Sequence, residues 1–160
     1  MLKSYRPSKD IYYLDVAEII LRRASCMRRN FGAVIVNNDQ IVSCGYTGAP
    51  RGQKDCLKIG NCMRKKLNIP SGEKYELCRS VHAEANAIIH ASRDKSIGST
   101  LYLVGIEAEN GEYVKKASPC SMCKRFIINA GIFEIIIRET KDYFRKVKVS
   151  SWLNNEFVMK

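Results

Sequence analysis

An α/β fold in which helices cover a mixed sheet is what this chain of 160 residues predicts. Three observations lead there. Segments with helical periodicity alternate with short β-branched runs along the whole chain. Hydrophobic residues make up 46%, ordinary for a folded domain, which excludes a disordered chain. No apolar run approaches the roughly 18 residues of a spanning helix, so no membrane is expected. The length suits a single domain over residues 1–160 with one buried core, interrupted by an irregular, cysteine-containing insertion at residues 53–79. Residues 1–7 lack the apolar core of a signal peptide, and a cytoplasmic protein is the expectation.

The elements follow in order. Residues 10–29 place Ile11, Leu14, Ala17, Leu21 and Ala24 at three- and four-residue spacing, an amphipathic helix with Asp10 as N-cap. Arg22, Arg23, Arg28 and Arg29 then gather at its C-terminal end, where cations complement the helix dipole or hold a phosphate. The apolar run at residues 32–36, the turn at 37–40 and the run at 41–44 form a hairpin, with Cys44 in the core. Gly45 to Gly52 is glycine-rich and lets backbone approach a ligand, although it lacks the lysine of a phosphate-binding loop. Residues 53–79 show no period and contain Cys56, Cys62 and Cys78 with a break at Pro70-Ser71-Gly72. A loop this long needs a function or a staple. Residues 82–93 form a helix capped by Ser80, and 100–106 a strand. Asn110-Gly111 turns the chain so that Tyr113 and Val114 return beside that strand. Pro119 opens a helix over 120–130 that Gly131 closes, and 132–137 is a buried strand. Residues 144–152 read as an edge strand or a helix lead-in.

Two stretches carry chemistry. His82-Ala83-Glu84 and Pro119-Cys120-Ser121-Met122-Cys123 match H-x-E…P-C-x-x-C, the signature of the zinc deaminases. Cys120 and Cys123 share a face at the start of a helix, whose positive end favours thiolates. His82 adds an imidazole. Three protein ligands with one open position describe a catalytic zinc, whereas a structural zinc is closed by four. Glu84 lies about 200° around its helix from His82, so it serves as a proton shuttle beside the open position and not as a ligand. Alone, C-x-x-C is often a redox pair and H-x-E a coincidence. Together, each opening a helix, they make an enzyme the better reading.

The residues around these stretches extend the match. Cys26-Met27-Arg28-Arg29-Asn30-Phe31-Gly32-Ala33-Val34-Ile35-Val36, Gly45-Tyr46-Thr47-Gly48-Ala49-Pro50 and His82-Ala83-Glu84-Ala85-Asn86-Ala87-Ile88 resemble the deoxycytidylate (dCMP) deaminases of the cytidine deaminase superfamily. The resemblance implies a three-layer α/β/α fold around a five-stranded mixed sheet. It implies hydrolysis of dCMP to dUMP and ammonia, a reaction that feeds thymidylate synthesis. It also implies a homo-oligomer, commonly a hexamer, with dCTP and dTTP as effectors. Substrate contacts then fall on Arg28, Arg29, Asn30, Thr47 and Ala83, with the 5′-phosphate on the two arginines, and effector contacts on Asn86 and Arg93. Some members hold their long loop with a second zinc that includes a cysteine at the Cys26 position. Here Cys26, Cys56, Cys62 and Cys78 would make a closed, structural site, the alternative being free thiols. The chain departs from the family at Thr47, where asparagine is usual, and at residues 106–118, which are longer than the usual link into Pro119-Cys120.

The seven cysteines fit metal or thiol chemistry better than a disulfide framework. The net charge of +11, from 27 Lys and Arg against 16 Asp and Glu, favours an anionic ligand. That charge also suits a deaminase acting on tRNA or single-stranded nucleic acid, but a basic-aromatic stacking platform is missing from the sequence. A non-catalytic zinc-stabilised binding module would have no use for Glu84.

Overall fold

A computed structural model describes residues 6–153. Residues 1–5, part of the stretch read for a signal peptide, lie outside it. Helix α1 is Lys9–Leu21, strand β1 Arg29–Asn37, β2 Gln40–Tyr46, and two single-turn helices follow as α2 (Cys56–Ile59) and α3 (Met63–Lys66). Helix α4 is Ala83–Ser96, β3 Thr100–Glu107, α5 Ser121–Asn129, β4 Glu134–Arg138 and β5 Phe144–Lys148. The sheet has five strands in the order β2-β1-β3-β4-β5, with β3 and β4 parallel and the other pairs antiparallel. None of the described helices is long and apolar enough to cross a membrane.

The period of two along each strand builds the three layers. Ala33, Ile35, Leu101, Leu103, Ile135 and Ile137 point into one core beneath α4 and α5. Their neighbours Val34, Val36, Tyr102, Val104 and Ile136 point into the other, beneath α1, where Tyr13, Leu14, Ala17 and Leu21 meet them. Half-buried Cys44 packs against that second core. Two glycines set the helix-to-sheet distances. A side chain at Gly32 would strike the Ala17 carbonyl of α1, and one at Gly45 the Ala83 carbonyl and Ala87 amide of α4.

The hairpin turns on Asn38 and Asp39, both left-handed at φ 49° and 62°, the pairing a two-residue loop demands. Residues 144–152 are both of the predicted alternatives in turn, β5 followed by a 3₁₀ turn at Val149–Trp152. The long loop after β2 is drawn shut at its neck, where Gly48 and Val81 exchange backbone hydrogen bonds of 3.2 and 2.8 Å.

Three boundaries differ from expectation. The first helix ends at Leu21 because the Ser25 amide turns to the Thr47 carbonyl and Arg29 enters the sheet opposite Glu107. Only Arg22 and Arg23 therefore sit at its end, and Ser8, not Asp10, is its N-cap. Helix α4 is capped by His82 and not Ser80; it continues to Ser96 through a break at Ser92. Helix α5 begins at Ser121 with Cys120 as its N-cap.

Candidate active site

Two helix N-termini meet at the site. His82 is the N-cap of α4 in extended backbone and makes no side-chain cap bond, which leaves its imidazole to the cavity. Cys120, the N-cap of α5, accepts the Cys123 amide on its sulfur at 3.5 Å. His82 Nδ1 lies 3.5 Å from Cys120 Sγ and 3.4 Å from Cys123 Sγ. All donor atoms of the three residues fall within 4.8 Å of one another; among the described residues no other group of three or more His, Cys, Asp or Glu is so tight. One nitrogen and two sulfurs at this spacing fit a tetrahedral zinc with a fourth position open.

The electrostatics favour a thiolate at Cys120 and hold protons on Cys123 and His82 that a bound metal would displace. The Cys123 thiol donates toward the Cys120 sulfur and, with the His82 hydrogen bond, holds the Cys120 thiol well below its usual range. Burial opposes a charged His82, but Cys120 and the Glu84 carboxylate outweigh it and raise the imidazole. Glu84, in the first turn of α4 and only 5% exposed, is raised chiefly by burial. The Tyr75 ring packs edge-on to His82 at 4.7 Å between centroids, fixing the plane of the imidazole from the loop side.

His82, Glu84 and Cys120 line a cavity of about 270 Å³. Of the predicted contact residues, Arg28, Arg29 and Thr47 line it too. Arg28 Nη1 reaches the Ile69 carbonyl at 3.3 Å, and the buried Thr47 hydroxyl accepts the Phe31 amide at 3.2 Å. Asn30, Ala83, Asn86 and Arg93 are not among its lining residues. Asn30 accepts the Cys26 amide, Ala83 is buried under β2, and Asn86 donates to the Tyr46 carbonyl. Arg93 donates to the Asn129 carbonyl beside a separate apolar hollow between α4 and α5. Cys26, Cys56, Cys62 and Cys78 all line the main cavity, and the Cys56 thiol is raised by burial and then by the other three.

Sequence reasoning did not single out Arg64, Tyr75, Lys115 or Lys116, all of which line the cavity. The first two sit in the aperiodic loop, where no pattern marks a side chain as inward. The two lysines lie in the segment that already stood out as longer than usual.

Comparison with known proteins places the chain. A family model described as the cytidine and deoxycytidylate deaminase zinc-binding region matches residues 7–139. The deoxycytidylate deaminase of Mycobacterium phage D29 is 32% identical over 136 residues, covering 82% of this chain and 94% of that protein. The Schizosaccharomyces pombe deoxycytidylate deaminase is 31% identical over 132 residues, 82% of this chain and 37% of the fungal protein. The chain thus spans less than two fifths of the length of the fungal relatives it matches, 37% and 39%. Among solved structures, the dCMP deaminase of cyanophage S-TIM5 superposes with a TM-score of 0.56 at 26% identity over 84% of this chain and 85% of that one. The cytidine deaminase of Burkholderia pseudomallei, at 16% identity and a TM-score of 0.60 over 90% and 95% of the two chains, shares the fold.

Proposed function

The chain belongs to the cytidine and deoxycytidylate deaminase zinc-binding family, and from that premise we propose that it hydrolyses dCMP to dUMP and ammonia. One observation carries the reading. Glu84 is the sole carboxylate among the described residues lining the cavity, buried beside His82, Cys120 and Cys123. The other charged side chains around it are all cations: Arg28, Arg29, Arg64, Arg79, Lys115 and Lys116. A single buried acid suits proton transfer, and a basic rim suits a phosphorylated nucleoside.

His82, Cys120 and Cys123 would hold the zinc, which when bound supplies Lewis-acid activation of water. Glu84 takes the proton of the attacking water and hands it to ring N3. With the water oxygen now bonded to C4, Glu84 takes the remaining hydroxyl proton and delivers it to the exocyclic amine, so the C4–N bond breaks as the C4 carbonyl forms and ammonia leaves. Its raised pKa makes the protonated form easier to reach at the point where it must act as an acid. Arg28, with a single long contact to Ile69, is the better placed of the two neighbouring arginines for the 5′-phosphate. Thr47 uses its hydroxyl to hold β1, so its share of sugar binding is smaller than that of the asparagine it replaces.

The wider reading has its own supports. A second, structural zinc on Cys26, Cys56, Cys62 and Cys78 is supported by all four lining one cavity and by the other three raising the Cys56 thiol, although their sulfurs are not drawn together as tightly as the donors of the first site. None of the seven cysteines is in a disulfide, in keeping with a reducing, cytoplasmic setting. The apolar hollow of Ile88, Ile89 and Phe126, with Ile89 70% exposed, favours a homo-oligomer, a hexamer by family resemblance. Arg93 at its edge is the residue we assign to dCTP or dTTP, with Asn86 on the same helix. The single five-stranded sheet, buried on both faces, supports one domain.

The test is ammonia release from dCMP, CMP, deoxycytidine, cytidine and a tRNA substrate, each with and without dCTP. Preference for dCMP is expected. Faster turnover of the tRNA or of a nucleoside overturns the reading.

A further inference from the structure

The segment between β3 and α5 is longer than its family resemblance leads one to expect, and it is built into the active site. The chain leaves β3 at Glu107 and turns through Asn110-Gly111, where Asn110 Oδ1 accepts the Glu112 amide at 2.9 Å. It returns antiparallel: the Val114 amide donates to Gly105 at 2.9 Å, and Tyr113 bridges Ile106. Both ends of the returning limb are anchored. The Tyr113 hydroxyl donates to Glu18 Oε2 at 2.9 Å, and the same oxygen takes Arg138 Nη1 at 2.5 Å. At the far end Arg145 donates to the Ala117 carbonyl. From the first anchor to just past the second, Val114 to Ser118 line the catalytic cavity as five consecutive residues.

This wall changes the charges around the cavity. Arg29 Nε spans both oxygens of Glu107, at 2.9 and 3.2 Å, so the last residue of β3, where the longer link departs, pairs with one of the two arginines expected to meet the phosphate. The same segment then supplies Lys115 and Lys116, both exposed and both lining the cavity. Among the described residues neither forms a salt bridge. Lys116 is held left-handed at φ 53°, a conformation lysine rarely adopts and which a fixed surrounding must impose. A second, independent feature also points to an anion. Arg64 lines the same cavity, is 5% exposed, and its Nε is buried without a partner. Its other contacts are the carbonyls of Pro70 and Glu73 and the face of Tyr75, none of which carries a negative charge.

We infer that the inserted segment is the phosphate-reading wall of this active site: Lys115 and Lys116, with Arg64 sharing the same cavity, recognise the 5′-phosphomonoester in place of Arg29. The inference rests on the dCMP reading and makes the segment a determinant of nucleotide over nucleoside.

The experiment compares wild type, the double variant Lys115→Met/Lys116→Met, and Arg29→Met, all zinc-loaded. The double variant should raise KM for dCMP about 10- to 100-fold more than KM for deoxycytidine, and Arg29→Met should change that ratio less. Equal changes for the two substrates, no change for dCMP, or a larger dCMP-specific loss in Arg29→Met each overturn the inference. Wild-type turnover of dCMP tests the substrate reading separately. If it is absent, calorimetric binding of inorganic phosphate decides: weaker binding in the double variant sustains the wall, and unchanged binding removes it.

Discussion

The Tyr113 hydroxyl donates to Glu18 Oε2 at 2.9 Å, tying the inserted segment to helix α1 on the face of the sheet opposite α4 and α5. Val114, the next residue, points the other way, into the core beneath those helices. A strand's alternation thus lets one residue anchor the segment while its neighbour packs beside the active-site cavity. Tyr113→Phe removes the hydrogen bond and leaves Glu18 paired with Arg138. The expected loss is about 1 kcal/mol in urea denaturation, together with a raised KM for dCMP. An unchanged KM means the segment holds its shape without this anchor.

Arg138 is 1% exposed and reaches Asp15 and Glu18, which lie at 55% and 35%. The two sides of this network are unequal. Removing the guanidinium leaves carboxylates that water can solvate, whereas removing the carboxylates strands a buried cation. Arg138→Met should therefore cost about 1–2 kcal/mol and the pair Asp15→Asn/Glu18→Gln about 3–5 kcal/mol. Denaturation midpoints at constant m-value decide, and the reverse order would show that the acids contribute little.

Glu84→Gln should keep the zinc and lower ammonia release by about 10²–10⁴-fold or more. Retained turnover would remove Glu84 from the proton path.

The same substitution has a pH signature in the metal-free protein. Burial raises the folded-state pKa of Glu84 above its unfolded value. Its stabilising contribution is therefore complete below the ordinary carboxylate pKa and is lost as pH rises through the raised one. Glu84→Gln should flatten the fall in stability as pH rises above the ordinary carboxylate range, and a parallel pair of curves would contradict this.

Metal content separates the two readings of the extra cysteines. Two zinc ions per chain are expected, falling to one in Cys56→Ser/Cys62→Ser, with chelation lowering the melting temperature in two steps. A value of one in the unsubstituted protein makes Cys26, Cys56, Cys62 and Cys78 free thiols.

Much of this was legible in the sequence because it is local. The Asn38-Asp39 turn and the alternation within β3 and β4 are set within a few residues by backbone sterics and side-chain period, whereas the helix starts shifted, with His82 in place of Ser80 capping α4 and Cys120 capping α5 instead of opening it. The boundary errors arose where tertiary pairing competes with local preference: Arg28 and Arg29 continue a helical pattern, but sheet pairing opposite Glu107 takes Arg29. Arg64 and Tyr75 could not be read because their loop has no period, and its shape is drawn from the Gly48–Val81 neck and from Arg64's bonds to Pro70 and Glu73.

By itself the sequence determined the alternation of helices with strands and the types of residue that meet at the site, since His82-Ala83-Glu84 and Pro119-Cys120-Ser121-Met122-Cys123 carry their chemistry in their spacing. Only the tertiary structure decided which cations face the cavity unencumbered. Arg29 finds Glu107 across 78 residues, Glu18 finds Tyr113 across 95, and Arg138 finds Asp15 across 123. Charge pairing acts through space, and no spacing along the chain encodes which carboxylate a given cation will meet.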